Sequence, residues 1–209
     1  MGGTGTLKAV LFDRDGTLVV DVPYNGDPQL VRPMDSARPA LEKVRRAGLA
    51  TGVVSNQSGV ARGLLTIGQV EAVNQRVDQL LGPFDVWEVC PHGPGDGCGC
   101  RKPAPGMILS ACRALGIRPS EAAYVGDIGA DMQAATAAGA RAVLVPTDVT
   151  REEEIDAAPL VAQDLWHAIE LLLAPVEEAP PLLAAEPGLA AEPGRAAEPG
   201  RAAVEDVPA

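Results

Sequence analysis

Five short apolar segments alternate with segments of helical periodicity, and this alternation restricts the fold more than any other feature of the chain. The predicted strands are 7–12, 49–54, 85–89, 122–125 and 142–145. The predicted helices are 37–47, 67–81, 105–115, 130–138 and 164–173, with Ser36 and Thr66 as N-caps of the first two. Such alternation indicates an α/β fold, in which a mostly parallel sheet is flanked by helices.

The composition of the core agrees with this fold class. Aromatic residues make up only 3% of the chain. The core must therefore be built from Val, Leu, Ile and Ala, which is typical of a parallel sheet covered on both faces.

The C-terminal part of the chain has a different composition. The segments AAEPGL, AAEPGR and AAEPGR follow one another over residues 184–201. Proline and glycine in every repeat disfavour a helix, and the few large apolar groups do not offset the entropy of ordering. We predict one domain over residues 1–175 and a disordered tail over residues 176–209, with a partner-binding tail as the alternative.

The net charge of −11 argues against a nucleic-acid partner and against binding to an anionic membrane surface. No apolar run approaches the ~18 residues of a membrane span, and the first residues lack the pattern of a signal peptide. The expectation is a cytoplasmic protein with reduced thiols. A monomer is the default expectation for its oligomeric state.

Two aspartates one residue apart follow the first apolar segment, in the stretch LKAVLFDRDGTL. Side chains alternate along a strand, so Asp13 and Asp15 should point to the same side, at the edge where open α/β sheets bind ligands. Gly16 permits a tight turn there, although an Asp-Gly pair is also common in ordinary turns. An EF-hand calcium loop is excluded, because its twelfth position would be Tyr24 rather than a glutamate.

A second acidic cluster follows the fourth apolar segment. Gly126 and Asp127 end that segment, and Asp131 comes four residues later. Carboxylates that converge at neighbouring strand ends repel one another, and a hard dication such as Mg²⁺ removes that cost. One aspartate of the first pair could then serve as ligand and nucleophile, and the other as acid and base.

Two further stretches are suited to binding phosphate. Ser55 and Asn56 supply a hydroxyl and an amide at the end of the second apolar segment, and Arg101 and Lys102 supply two cations before a helix. Either pair alone would be an ordinary loop. Their order along the chain, between Asp-x-Asp and Gly-Asp-x-x-x-Asp, is far more specific.

This order of motifs resembles the phosphatase branch of the haloacid dehalogenase (HAD) superfamily. The resemblance covers about residues 7–145 and is carried by DRDGT, VVSNQSGVARG, CRKPAPGM and VGDIGADM. It implies a Rossmann-like fold with a minimal cap and a Mg²⁺-dependent phosphohydrolase. Asp13 would attack phosphorus and carry an aspartyl-phosphate, and Asp15 would protonate the leaving oxygen and then activate water. Ser55 and Lys102 would hold the phosphoryl oxygens.

The resemblance also implies the metal ligands and the substrate contacts. Asp13, the main-chain carbonyl of Asp15, and Asp127 would bind Mg²⁺, with Asp131 acting through water. The residues that would contact the substrate are Asn56, Arg62 and Arg101.

Three of the four cysteines lie within eleven residues, together with one of the two histidines. Cys90, His92, Cys98 and Cys100 form a Cys₃His set, which is typical of a closed, structural zinc site. The alternatives are a disulfide or unligated thiols. Cys112 is predicted to lie in the core, and His167 on the surface.

The zinc loop narrows the resemblance to the small-capped branch (subclass IIIA) that contains heptose 1,7-bisphosphate phosphatases and histidinol-phosphate phosphatases. QSGVARG and RKPAPGM resemble the heptose enzymes, whereas the five residues between His92 and Cys98 resemble the histidinol-phosphate enzymes. The expected substrate is the 7-phosphate of a heptose bisphosphate. Histidinol phosphate or a broad range of sugar phosphates is the alternative.

Two other function classes agree less well with the sequence. A non-catalytic, zinc-stabilised binding module would lack the nucleophile or the lysine, but Asp13 and Lys102 are both present. A phosphotransferase or mutase would need a larger cap to exclude water, and neither 17–36 nor 55–66 is long enough to form one.

Overall fold

The computed structural model describes residues 6–174, and their sheet has five parallel strands. The strands are β1 (Ala9–Phe12), β2 (Ala50–Asn56), β3 (Val86–Cys90), β4 (Ala122–Gly126) and β5 (Arg141–Leu144), in the order β3-β2-β1-β4-β5. Phe12, the last residue of β1, pairs with Val53 of β2 and Val125 of β4. The strand order reverses beside β1, which places a crevice at the carboxyl ends of the central strands. The predicted Rossmann-like fold is confirmed.

Six α-helices flank this sheet. They are α1 (Ala37–Arg46), α2 (Ile67–Leu81), α3 (Gly106–Ala114), α4 (Gly129–Ala138), α5 (Glu152–Asp156) and α6 (Leu165–Leu173), and two 3₁₀ turns lie at Pro28–Leu30 and Pro119–Glu121. The five longer helices agree with the sequence prediction to within two residues at each end. The prediction missed α5 and the 3₁₀ turns, because they are too short to show a periodicity.

The alternation of side chains along the strands produces a core on each face of the sheet. Val10 and Phe12 of β1 pack with α1, α2 and α6, whereas Leu11 packs with α3 and α4. Both faces are therefore covered, as expected for a parallel sheet. Cys112 lies in the second core, as predicted, and is 1% exposed.

The two predicted N-caps behave differently. The side chain of Thr66 accepts a hydrogen bond from the backbone N–H of Gln69, and the Gln69 side chain accepts one from the backbone N–H of Thr66, forming a capping box for α2. Ser36 precedes α1, but its hydroxyl does not cap that helix. It accepts a hydrogen bond from the backbone N–H of Leu165 at 3.2 Å and so joins the starts of α1 and α6.

The connections that could have carried a cap domain are short. The link from β1 to α1 contains one 3₁₀ turn and two isolated β-bridges, and residues 57–65 form a run of turns before α2. The prediction of a minimal cap is confirmed. Within residues 6–174, no helix is long and apolar enough to cross a bilayer. The predicted disordered tail lies outside the described residues.

Candidate active site and metal centres

Asp13 lies directly after β1, and the protein binds its carboxylate through one oxygen, Oδ1. Its Oδ1 accepts hydrogen bonds from the backbone N–H of Arg14 at 2.7 Å and is 2.9 Å from Nζ of Lys102. Gly16 turns the chain beneath it with a φ of +79°. A Cβ at Gly16 would collide with the Asp127 carboxylate, so glycine permits both the turn and the close approach of the two motifs.

Three carboxylates converge at the ends of β1 and β4. One oxygen each from Asp13, Asp127 and Asp131 lies within 4.8 Å of the others. Burial raises the pKa of Asp13 to about 7, with Lys102 opposing the rise and Asp131 and Asp15 adding to it. Burial also raises the pKa of Asp127 to about 8, and Asp13 and Asp131 contribute. This concentration of buried negative charge is the environment that a divalent cation would stabilise.

The three carboxylates differ in how far the protein already satisfies them. Asp131 is 0% exposed, and its Oδ2 accepts hydrogen bonds from the backbone N–H groups of Asp127 and Ile128. Its Oδ1 lies 2.6 Å from Nζ of Lys102. Within residues 6–174, the carboxylate of Asp127 accepts only one hydrogen bond from another side chain, a long one of 3.4 Å from the hydroxyl of Thr17. Asp127 is therefore better placed than Asp131 to bind a cation directly.

Lys102 is the cation of this cluster and is 3% exposed. Burial by itself lowers the pKa of its ammonium group, but the charges of Asp13 and Asp131 outweigh burial and raise that pKa. Nζ also donates to the hydroxyl of Tyr124 at 2.8 Å, and this hydroxyl donates to the backbone carbonyl of Val54 at 3.0 Å. Side chains from the end of β1 (Asp13), from β4 (Tyr124) and from α4 (Asp131) thus contact one ammonium group.

The carboxylate of Asp15 lies in a different set of contacts. Arg14 donates to both of its oxygens, at 3.0 and 2.8 Å. Gln57 Nε2 donates to Asp15 Oδ2 and to the hydroxyl of Ser55, both at 2.8 Å. Ser55 accepts this bond and can still donate its own O–H to a ligand. Asp15 is partly exposed and lines a cleft of about 300 Å³. The other lining residues include Tyr24 and Asn56 and come from the segments that follow β1 and β2.

The three residues expected to contact the substrate lie in different surroundings. Asn56 borders the cleft, but its amide accepts from the backbone N–H of Lys102 and donates to the carbonyl of the same residue, both at 3.1 Å. Arg101 donates to the carbonyl of His92 at 3.3 Å. Arg62 is exposed and stacks over the ring of Tyr24, with 5.7 Å between the guanidinium carbon and the ring centroid.

The four predicted zinc ligands are brought together in the loop after β3. The Sγ of Cys90 lies 3.5 Å from Nδ1 of His92, 3.8 Å from Sγ of Cys98 and 3.1 Å from Sγ of Cys100. A disulfide would need about 2.05 Å, and all these cysteines are free. Tetrahedral ligands about 2.3 Å from zinc lie ~3.8 Å apart. The donor set therefore fits a zinc ion.

Sequence reasoning missed several side chains of this site, among them Arg14, Gln57 and Tyr124. Arg14 lies in the motif DRDGT and Gln57 in the motif SNQSG. Their positions next to candidate site residues could have identified them as part of the site. Tyr124 lies in the middle of an apolar strand, where a single tyrosine is typical of a core residue. Nothing in the sequence indicates that its hydroxyl reaches Lys102.

The comparisons with known proteins agree with this geometry. Residues 99–168 match a family model described as HAD-hydrolase-like. The D-glycero-beta-D-manno-heptose-1,7-bisphosphate 7-phosphatase of Pseudomonas putida is 33% identical over 171 residues, which cover 76% of this chain and 95% of that protein. The enzyme of the same name from Escherichia coli K12 is 39% identical over 144 residues, which cover 64% of this chain and 75% of that protein.

A solved structure is also similar to this chain. It is the D,D-heptose 1,7-bisphosphate phosphatase from B. bronchiseptica, complexed with magnesium and phosphate. It is 31% identical, with a TM-score of 0.70, and the match covers 80% of this chain and 98% of that chain. The chain therefore belongs to the HAD-like hydrolase family, in the branch that contains these phosphatases.

Proposed function

We propose that this chain is a Mg²⁺-dependent phosphohydrolase that removes the 7-phosphate of D-glycero-D-manno-heptose 1,7-bisphosphate. The observation that carries the proposal is the meeting of Asp13, Lys102 and Asp127 at adjacent strand ends, next to Asp15 and an open cleft. The heptose as substrate is supported by the names of the similar enzymes from P. putida and E. coli.

The reaction has two steps on the same phosphorus atom. In the first, a carboxylate oxygen of Asp13 attacks phosphorus, the bond to the sugar oxygen breaks, and the proton of Asp15 passes to that oxygen. In the second, Asp15 takes a proton from water, the water oxygen attacks phosphorus, and the bond to Asp13 breaks. The products are inorganic phosphate and the sugar with a free hydroxyl group at that position. Asp13 and Asp15 return to their initial protonation states.

Positioning of the phosphoryl group is assigned to Ser55 and Lys102. The hydroxyl of Ser55 is buried and free to donate, and the ammonium group of Lys102 offsets the charge of Asp13 as it approaches an anion. Asn56 is proposed to position Lys102 as well as contact the substrate, because the oxygen and the NH₂ of its side-chain amide both bind the backbone of that residue. Arg62 and Arg101 are also proposed to contact the substrate, although neither lines the cleft itself.

The residues proposed to hold Mg²⁺ are Asp13, Asp127 and the main-chain carbonyl of Asp15, with Asp131 acting through water. Bound there, the ion supplies charge neutralisation for the phosphoryl oxygens. The hydrogen bonds that saturate Asp131 support its indirect role. The mixture of carboxylate and carbonyl oxygens suits a hard cation.

Substrate preference is the direct test of this function. With Mg²⁺, we expect phosphate release from the heptose bisphosphate with a kcat/KM at least ~100-fold above that for histidinol phosphate, close to 3 kcal/mol of transition-state discrimination. A panel of hexose and pentose phosphates serves as the comparison set. A flat profile would contradict the substrate but not the chemistry, whereas no Mg²⁺-dependent release from any ester would contradict both.

We further propose that one zinc ion holds the loop that presents Arg101 and Lys102. Cys100 directly precedes these two cations, and Arg101 is bonded to the carbonyl of His92. The zinc would therefore act on the site through the backbone of its own loop and would take no part in the reaction.

Replacing one zinc ligand should release the metal and loosen this loop. For Cys98→Ser we expect zinc to fall from one per chain to almost none, with a lower melting temperature and a lower kcat, because structural zinc contributes folding free energy. Elemental analysis, calorimetry and phosphate release measure the three effects. Cys112→Ser is the matched control, since this cysteine is not one of the four clustered side chains, and that variant should keep its zinc. A zinc-free Cys98→Ser protein with normal stability and activity would contradict the proposal.

A further inference from the structure

Arg14 stands between the two motif aspartates, and the proposed reaction does not use it. Its side chain is large and almost fully buried, with 1% of the residue exposed. A buried guanidinium group is costly unless its N–H groups are paired. The contacts that pair these groups therefore indicate what the residue does.

Two of these contacts form a fork on Asp15. Nε donates to Oδ1 at 3.0 Å, and Nη2 donates to Oδ2 at 2.8 Å. A two-point contact of this kind fixes the plane of the carboxylate, whereas a single ion pair leaves it free to rotate. Gln57 supplies one further donor, to Oδ2 at 2.8 Å.

The third contact ties Arg14 to a distant helix. Nη1 donates to Oδ1 of Asn74 at 2.6 Å, sixty residues along the chain. Asn74 lies in the middle of α2, between buried residues that include Val73 and Val77. The orientation of Asp15 is thus linked to a packed element of the fold and not only to its own loop.

We propose that Arg14, held by Asn74, is a positioning residue that keeps the carboxyl group of Asp15 in one orientation for proton transfer to the leaving oxygen. The inference rests on the proposed function, because it takes Asp15 to be the general acid. The connections around the site carry no cap domain among the described residues, so this orientation comes from inside the fold.

The leaving group provides a test that separates positioning from stability. For a phosphatase with a covalent intermediate, kcat/KM reports the step in which the leaving group departs. Phenyl phosphate releases a phenol with a pKa of about 10, like that of tyrosine, and needs the acid. 4-Nitrophenyl phosphate releases a far more acidic phenol and depends on the acid much less.

The first variant is Arg14→Lys, which keeps the charge but cannot form the fork. With Mg²⁺ and the full chain, we expect kcat/KM to fall about 100-fold for phenyl phosphate and less than ~10-fold for 4-nitrophenyl phosphate. A purely structural role would lower both constants by the same factor.

Asn74, which accepts a hydrogen bond from Arg14, provides a second set of variants with a smaller expected effect. Asn74→Ala leaves Arg14 in place and should produce the same selective loss on a smaller scale, about 10-fold for phenyl phosphate. Asn74→Asp keeps an acceptor oxygen and should restore both constants. Gln75→Ala changes the next, exposed residue of α2 and is the matched control, with no change expected.

The possible outcomes distinguish a failure of the positioning role of Arg14 from a failure of the proposed phosphatase function. Equal losses on both esters, or no loss on either, in the folded Arg14→Lys protein would overturn the inference. If that variant does not fold, the same criterion applies to Asn74→Ala. A wild-type protein that releases no phosphate from these two esters or from the heptose bisphosphate would overturn the proposed function and, with it, the role of Arg14.

Discussion

Asp13→Asn is expected to lower kcat by about 10⁴-fold or more while the protein stays folded, as removal of a catalytic nucleophile does in other enzymes. The amide has nearly the shape of the carboxylate but cannot attack phosphorus. The fold should tolerate the change, because burial already raises the pKa of Asp13 and the lost charge lies among other carboxylates. Phosphate release gives the rate, and circular dichroism with thermal melting checks the fold.

An exposed aspartate away from the site gives the matched control for this prediction. Asp35 is exposed and precedes α1, so Asp35→Asn removes the same charge without touching the carboxylate cluster. Its kcat should stay within about twofold of the wild-type value, since surface substitutions have small effects. An Asp13→Asn protein that retains full activity would exclude Asp13 as the nucleophile.

Lys102→Met is expected to cost both stability and activity. The thioether chain fills similar space but leaves Asp13 and Asp131 without their buried cation, which lies 2.9 and 2.6 Å away in the native protein. Removing one partner of a buried charge pair costs about 3–5 kcal/mol. We expect a loss in this range in urea unfolding without added Mg²⁺, and a fall in kcat/KM of about 10²–10³-fold with it.

Lys8 offers the corresponding control on the surface. Its ammonium group lies 2.9 Å from a carboxylate oxygen of Glu121, but its side chain is 54% exposed. Lys8→Met should therefore change the free energy of unfolding by no more than about 1 kcal/mol and leave kcat/KM unchanged. If Lys102→Met were as stable and as active as the Lys8 variant, the ammonium group would have neither of the proposed roles.

The strands and most helices were predictable because each carries its own local signal. Ala9–Phe12 is a continuous apolar run, and Val70, Val73 and Val77 recur at helical spacing. The positions of Asp13 and Asp127 followed as well, since residues after parallel strands meet at one edge of the sheet. The clustering of Cys90, His92, Cys98 and Cys100 was predictable from residue type and spacing alone.

Contacts between distant segments were not predictable in this way. The hydroxyl of Ser36 serves Leu165 rather than its own helix, and the hydroxyl of Tyr124 reaches Lys102 across the sheet. A local pattern states which face of an element is buried but does not name the partner on the other side. Only the packing of the elements decides that partner.

The amino-acid sequence by itself determined the order of strands and helices, the acidic strand ends and the Cys₃His set, because these depend on residue type and short-range spacing. The tertiary structure decided which partners each buried cation contacts. Lys102 lies between Asp13 and Asp131, and Arg14 lies between Asp15 and the amide of Asn74. Electrostatic energy depends on distance and burial in space, and residues sixty positions apart acquire both only when the chain has folded.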